Sequence, residues 1–288
     1  IKDIDLITYS FPCQGLSNAN MSGSLGIDNE ESTSHLIYQI KRILVSSKKN
    51  NKKLPKYLLM ENVPAFITKK HINSFHKWIN TLEKIGYKSF HLIIHADRLG
   101  SIQKRKRLVL ISILKDLFPK KLKNKHPDDL HYLFYKNYEK YLDKNKRKQM
   151  YYQIFSSSNQ EEIQSSIVNN TKSRQKMIKK CSDLINDAKK RNYYLQTLTT
   201  RQDRIPNIGL IPLDKEIEGK LSKRLITYRE AFLIMGFTNK DIDKLKPFID
   251  NKILTISSLY RQAGNSIVVP ALEKVFMFIK DIEKGNYG

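Results

Sequence analysis

Residues Leu6-Ile7-Thr8-Tyr9-Ser10-Phe11-Pro12-Cys13-Gln14-Gly15 decide how the chain reads. Asp5 to Phe11 is a short run rich in apolar and β-forming side chains, which predicts a strand. Pro12 has no N–H to give to a ladder and ends it. Gly15, Ser17, Asn18, Asn20 and Gly23 then predict a loop. A cysteine placed directly after such a strand sits at the strand's carboxyl end, where ligand crevices open in α/β sheets.

The flanking sequence repeats the theme. His35 to Val45 has helical spacing, with Leu36, Ile37, Ile40, Ile43 and Leu44 to one side. Ser46 to Lys53 is polar and basic and predicts a solvated linker. Tyr57 to Met60 predicts a second buried strand, followed by Glu61-Asn62-Val63-Pro64. Phe75 to Ile85 predicts a helix stopped at Gly86. Phe90 to His95 and Leu108 to Leu114 predict two more strands. From Lys115 to about Arg191 the chain is Lys- and Tyr-rich and helix-leaning, without a strong strand signal. Leu195 to Leu213 predicts an extended segment. Helices are predicted over Thr227 to Met235 and Pro270 to Asp281, the second after a loop at Gly264-Asn265-Ser266.

The 288 residues carry a formal net charge of +24, a field that attracts polyanions, nucleic acid above all. The abundance of Lys, Asn, Ile and Tyr is also what an AT-rich coding sequence produces. No apolar run approaches the roughly 18 residues of a membrane span, and no signal-peptide pattern opens the chain. The two cysteines, Cys13 and Cys181, lie far apart and show no metal-ligand spacing. This predicts a reducing, cytoplasmic setting, without membrane association or a bound metal. A cysteine in a loop after proline is poorly placed for a structural thiol, which makes Cys13 a candidate nucleophile.

Glu61 follows a strand as Cys13 does, and predicts a second reactive group on the same sheet edge. Arg105 and Arg107 precede a strand. If that strand returns antiparallel, both arginines reach the same edge, and their i, i+2 spacing puts them on one face.

Phe-Pro-Cys-Gln, Glu-Asn-Val, Gln-x-Arg-x-Arg, Arg229-Glu230 with Met235-Gly236-Phe237, and Gly264-Asn265-Ser266 follow one another in this order. Together they resemble motifs IV, VI, VIII, IX and X of the cytosine-5 DNA methyltransferases. The resemblance covers residues 1–113 and about 195–288, and the middle corresponds only in position to that family's variable target-recognition domain. It implies an α/β fold, part of a Rossmann-like S-adenosylmethionine-dependent methyltransferase core with an inserted recognition domain. The expected divisions are a catalytic part over 1–114, a recognition domain over 115–222, and C-terminal helices over 223–288 that return to the catalytic part.

The resemblance also implies roles. Cys13 adds to C6 of a cytosine flipped out of double-stranded DNA. Glu61 acts as an acid near N3, Arg107 binds the ring O2, and Arg105 supports the cysteine loop or Glu61. Gln14 and Ser17 lie near the DNA, in a loop from Gln14 to Gly26 that closes over the base. Thr197 and Leu198 resemble the pair with which the recognition domain approaches the flipped nucleotide, and Arg201 and Arg204 are candidates for phosphate or guanine contacts. Pro12, Leu36, Asn265 and Ser266 match positions that touch S-adenosyl-L-methionine. The glycine turn and acidic residues of motifs I–III have no counterpart in these residues. An upstream segment or a partner subunit is expected to carry them. The implied function is DNA cytosine-5 methylation in a bacterial restriction-modification system, by a cytoplasmic protein that joins the nucleoid when bound to DNA. The alternatives are an inactive DNA-binding fragment and a tRNA cytosine-5 methyltransferase.

Overall fold

A computed structural model describes residues 4–16, 26–122 and 127–286. These form two compact units, one of residues 1–94, 106–137 and 278–288, the other of 95–105 and 138–277.

The first unit is built on a four-stranded sheet. Strand β1 (Leu6–Ser10) is followed by helix α1 (Ile37–Lys49) and strand β2 (Tyr57–Asn62). β1 and β2 pair in parallel, from Leu6 opposite Tyr57 to Ser10 opposite Glu61. Helix α2 (Ile72–Ile85) leads to strand β3 (Tyr87–His95), and β4 (Lys106–Leu114) lies between β2 and β3, antiparallel to β2. β2 and β4 are buried almost without interruption, as expected of strands covered on both faces. β1 lies at the sheet's edge and is only partly buried. Phe75, Trp78, Leu82 and Ile85 share one face of α2 and pack with Leu58, Met60, Leu108 and Leu110. Helix α3 (Pro127–Tyr138) belongs to this unit through Asn137, its Phe134 ring 5.5 Å from that of Phe278.

One expectation changes here. α1 runs on to Lys49, through what reads as a polar linker, because Ser47 is buried and Lys48 Nζ donates to Ile85 O at 2.9 Å. A helix turn needs only one buried face, and basic residues on the other face hide it from a reading by composition. Residues 115–122 and 127–137 belong to the first compact unit, where Tyr135 Oη donates to Ile93 O at 3.0 Å.

The second unit contains α4 (Lys144–Phe155), α5 (Gln160–Ser166), β5 (Ile167–Asn169), α6 (Lys172–Ile178), α7 (Leu184–Lys190), β6 (Ile211–Pro212), β7 (Lys220–Arg224), α8 (Tyr228–Ile234), α9 (Asn239–Asp243), α10 (Lys246–Asp250) and α11 (Ile256–Asn265). It also takes α12 (Val269–Lys284) as far as Met277. The three short strands form an antiparallel sheet with β7 in the middle. Gly264 and Asn265, expected in a loop, are the last residues of α11. Most of 195–213 is irregular rather than extended, with only Ile211–Pro212 in a strand.

Two buried carboxylates organise this unit. Glu230 closes a capping box with Thr227 and receives both terminal nitrogens of Arg224, at 2.9 and 2.8 Å. Glu162 caps α5 with Asn159 and accepts from Tyr228 Oη at 2.7 Å and Arg229 Nε at 2.9 Å. The Arg229-Glu230 dipeptide is thus a junction between α5, β7 and α8. Glu230→Ala would leave Arg224 buried and uncompensated. It is expected to lower unfolding free energy by about 3–5 kcal/mol. Thermal and denaturant melts check this, and a loss below roughly 1 kcal/mol would show that the pair adds no more than a surface salt bridge.

Candidate active site

Parallel pairing sets Ser10 beside Glu61, and the chain enters the cysteine turn three residues after Ser10. β4 runs the other way, with Val109 opposite Glu61 and Leu108 opposite Asn62, so Arg107, the second residue of β4, lies at the same end. Arg107 Nε lies 2.8 Å from Glu61 Oε1, and both side chains are largely buried. Ser10 Oγ donates to the other Glu61 oxygen at 3.3 Å. Burial pushes the Arg107 guanidinium below its ordinary range, while the charges of Glu61 and Cys13 pull it back up. Glu61 and Arg107 thus pair at the end of the sheet from which the chain passes to Cys13.

Cys13 is half-buried in a 3-10 turn, Cys13–Gly15, that follows Pro12. Two side chains fix this turn. Asn62 Nδ2 donates to Phe11 O at 3.0 Å, and Ser34 Oγ donates to Pro12 O at 2.5 Å while accepting from Gly15 N at 3.2 Å. Ser34 thus bonds the main chain on both sides of Cys13. The approach requires glycine at position 15, since a Cβ there would lie 2.2 Å from Ser32 Oγ and 2.7 Å from Ser34 Oγ. Gly26 N donates to Gly15 O at 2.8 Å. Beyond it, the Asp28 carboxylate accepts from Tyr38, Ser74 and Lys77. Burial would raise the Asp28 pKa, but these bonds and the Lys77 charge outweigh it and hold the group at about 2.

The other predicted residues distribute as follows. Pro12 is exposed, and Leu36, which precedes α1, is 53% exposed. Gln14 lies within the 3-10 turn, and Ser17 lies outside the described residues, as does most of the loop expected to close over the base. The terminal nitrogens of Arg105 donate to Leu198 O at 2.8 Å, Gly264 O at 2.7 Å and Ser266 O at 3.1 Å. The side chain is buried in the second unit, where a planar fork can serve several carbonyls at once. Leu198 is also buried, with its N–H given to Gln103 Oε1 at 3.0 Å, so its side chain offers little contact surface. Thr197 Oγ1 donates to Lys104 O at 2.5 Å, and Arg201 and Arg204 are exposed. Asn265 is exposed and Ser266 Oγ donates to Ala263 O at 2.8 Å.

Cys181 behaves as a packing residue. It lies against a small core of Val168, Leu210 and Leu225, and burial pushes its thiol up, away from the reactive thiolate. Sequence reasoning missed Ser34, and it quoted Asn62 without a role. The signal available for Asn62 was its place next to Glu61 in a strand, which turns its side chain to the opposite face. Ser34 had no signal, because its partners are main-chain atoms about 20 residues away.

The family model for C-5 cytosine-specific DNA methylases matches residues 1–281. The chain belongs to this family. It is 30% identical over 281 residues to the type II methyltransferase M2.ScrFI of Lactococcus lactis subsp. cremoris, covering 96% of this chain and 66% of that one. It is 43% identical over 117 residues to the orphan methyltransferase M.SssI of Spiroplasma monobiae, covering 40% of this chain and 29% of that one. It thus spans about two thirds of the first relative's length and less of the second's. Among solved structures, the S. pombe Dnmt2 methyltransferase superposes with a TM-score of 0.61 at 17% identity, covering 97% of this chain and 79% of that one. The Entamoeba histolytica methyltransferase EhMeth superposes at 0.60 and 19%, covering 96% and 77%. These likenesses establish the mixed α/β methyltransferase fold. Among the described residues no helix is long and apolar enough to cross a membrane.

The geometry around Cys13 yields a direct expectation. Ser34→Ala removes both bonds that flank the cysteine, each contributing about 0.5–1.5 kcal/mol. The methylase family member should still fold, with a modest fall in melting temperature. The rate at which Cys13 is alkylated or captured by substrate should fall about tenfold, the effect of a misplacement well below 1 Å. An unchanged Cys13 reaction rate in a folded Ser34→Ala protein would show that the turn holds itself.

Proposed function

We propose that this chain carries the catalytic cysteine and the target-recognition part of a DNA (cytosine-5-)-methyltransferase that acts on double-stranded DNA in a bacterial restriction-modification setting. The observation that carries the reading is the grouping of Cys13, Glu61 and Arg107, with Arg107 Nε 2.8 Å from Glu61 Oε1. Cytosine C5 is a weak nucleophile, and these three groups answer that difficulty.

The thiolate of Cys13 adds to C6. The S–C6 bond forms as the electron pair of the C5–C6 double bond becomes available at C5. Glu61 shares a proton with ring N3 and so offsets the charge that builds on the ring. Arg107, already oriented by Glu61, donates to the ring O2 and holds the base flat against the site. Once C5 has gained the methyl group, its proton passes to a water or another base, the C–H electron pair re-forms the C5–C6 double bond, and the S–C6 bond breaks to release Cys13 as thiolate. The target base must leave the duplex for this, and the exposed Arg201 and Arg204 are suited to the phosphates or guanines around it.

The methyl donor implied is S-adenosyl-L-methionine. In the first unit, Pro12 and Leu36 offer exposed apolar surface that fits an adenosyl or thioether face; in the second, Asn265 offers an exposed amide able to hydrogen-bond, with Ser266 next to it. When bound, the donor supplies the methyl group that ends on C5. These residues alone give little to hold a ribose or a charged amino acid. Titration calorimetry of the 288 residues with S-adenosylmethionine is expected to show binding weaker than about 1 mM, roughly −4 kcal/mol. Micromolar binding would mean that the cofactor surface is complete within these residues.

The catalytic assignment is tested with duplex DNA carrying 5-fluorocytosine at the target. Fluorine cannot leave as a proton does, so the addition product is trapped. A covalent adduct mapped to Cys13 is the expected result. Glu61→Gln should slow turnover about 100-fold or more with a much smaller change in DNA affinity, and Arg107→Ala should also impair it. An adduct at Cys181, or full turnover without the carboxylate, overturns the assignment. Preferential methylation of tRNA over duplex DNA would move the substrate to RNA while leaving the three residues in place.

A further inference from the structure

The segment from Thr197 to Asn207 belongs to no helix or strand, yet its main chain is held at almost every step. All of the groups that hold it lie in the second unit. On its entry, Leu195 N donates to Ile102 O at 2.8 Å and Lys104 N donates to Leu195 O at 2.9 Å, a short parallel ladder with Gln103 opposite Leu195. Thr197 Oγ1 extends the ladder to Lys104 O. At Leu198 both main-chain groups are gripped by side chains, the N–H by Gln103 Oε1 and the carbonyl by Arg105. Gln103 and Arg105 are themselves buried. Gln103 Nε2 is 3.2 Å from the Met235 sulfur, and Arg105 is anchored to Gly264 O and Ser266 O.

The other side of the segment is equally determined. A Cβ at Gly264 would come within 2.6 Å of the Thr199 carbonyl and of Thr200 N, so α11 presents bare backbone to the segment there. The Asn207 side chain donates to Thr197 O and accepts from Thr199 Oγ1 at 2.8 Å and from Gln202 Nε2. Gln202 is fully buried and also donates to Thr199 O at 3.2 Å. What remains outside is a short set of exposed side chains, Thr199, Arg201, Arg204 and Ile205, projecting from a main chain that these bonds tie down on two sides.

We propose that Gln103, Arg105 and Asn207 are positioning residues for target-sequence specificity. They fix the main chain of 197–207 so that its exposed side chains meet the bases and phosphates around the target in a single register. The inference rests on the DNA methyltransferase reading and deepens it. The physical argument is preorganisation. A loop free to shift by an ångström can satisfy several base sequences almost equally, whereas a fixed loop leaves donors unpaired against all but one. Gln103 and Arg105 lie between the first unit's β3 and β4 in sequence, so the motif that delivers Arg107 to the base also builds the support for the recognition segment.

The test uses the whole protein that carries this chain. The modified site is first read by methylation sequencing of plasmid DNA. kcat/KM is then compared for a duplex with that site and for duplexes with one flanking base pair exchanged. Arg105→Lys replaces a planar fork by one ammonium, which cannot serve three carbonyls in the same geometry. Asn207→Ala removes the staple on the opposite side. Each variant is expected to lower the ratio of cognate to exchanged-site kcat/KM by about tenfold or more, the discrimination of one good base contact. Plasmid sequencing should show a correspondingly broadened pattern. Equal losses on all duplexes, with the ratio unchanged within about twofold, overturn the proposal, because a merely structural part in the fold lowers every rate alike. If Arg105→Lys does not fold, the half-buried Asn207→Ala carries the same test. A wild-type enzyme that modifies RNA and not duplex DNA overturns both the underlying reading and this proposal, whereas duplex methylation with an unchanged ratio overturns the proposal alone.

Discussion

The parallel pairing of β1 with β2 sets Ser10 against Glu61, and the candidate active site follows from that register. A slip of one residue would turn Glu61 to the other face of the sheet and bring Asn62 in its place. The register is held by burial: Leu58 and Met60 of β2 meet α1 and α2, and Leu108 and Leu110 continue the same layer on β4. Given that layer, Glu61 emerges at the strand end with Arg107 beside it, and the chain leaving β1 brings Cys13 to the same edge. The ion pair between Glu61 and Arg107 costs desolvation, and it is tolerable because each group has further bonds, Ser10 to the carboxylate and Lys106 O to the guanidinium.

The cysteine turn and the recognition segment solve one problem in the same way. The one is a single 3-10 turn and the other is irregular beyond its entry ladder, and in both much of the definition comes from side chains elsewhere that bond the main chain. Ser34 and Asn62 do this around Cys13. Gln103, Arg105 and Asn207 do it around Leu198. In both, a glycine lets the support come close, Gly15 against Ser32 and Ser34, and Gly264 against Thr199 and Thr200. Irregular backbone that must hold a reactive or recognising group to fractions of an ångström needs such support, because a loop's own conformational entropy works against it.

The second unit combines an apolar core with buried ion pairs. Phe232, Ile234, Met235, Leu259 and Tyr260 are buried in it, and Val168, Leu210 and Leu225 form a further small cluster. Arg224 with Glu230 and Arg229 with Glu162 add to this, each carboxylate also closing a helix cap. A buried carboxylate that satisfies both a guanidinium and a helix N-terminus has its desolvation offset by several bonds at once.

Much of the site was legible in the sequence because its chemistry lies in short local patterns. Phe-Pro-Cys-Gln, Glu-Asn-Val and Arg-x-Arg each stand at a strand end, and alternation along a strand says which side chain reaches the edge. The α/β character of the first unit, the grouping of Cys13 with Glu61 and Arg107, and the family itself followed from those patterns. What only the tertiary structure decided was every contact between a side chain and a distant main chain. Arg105 and Arg107 look equivalent at i, i+2, yet one grips the Leu198, Gly264 and Ser266 carbonyls and the other pairs with Glu61. Backbone carbonyls are the same at every residue, so no pattern of residue types records which of them a buried guanidinium or hydroxyl will find. That choice is made when the elements pack and each buried donor must have an acceptor.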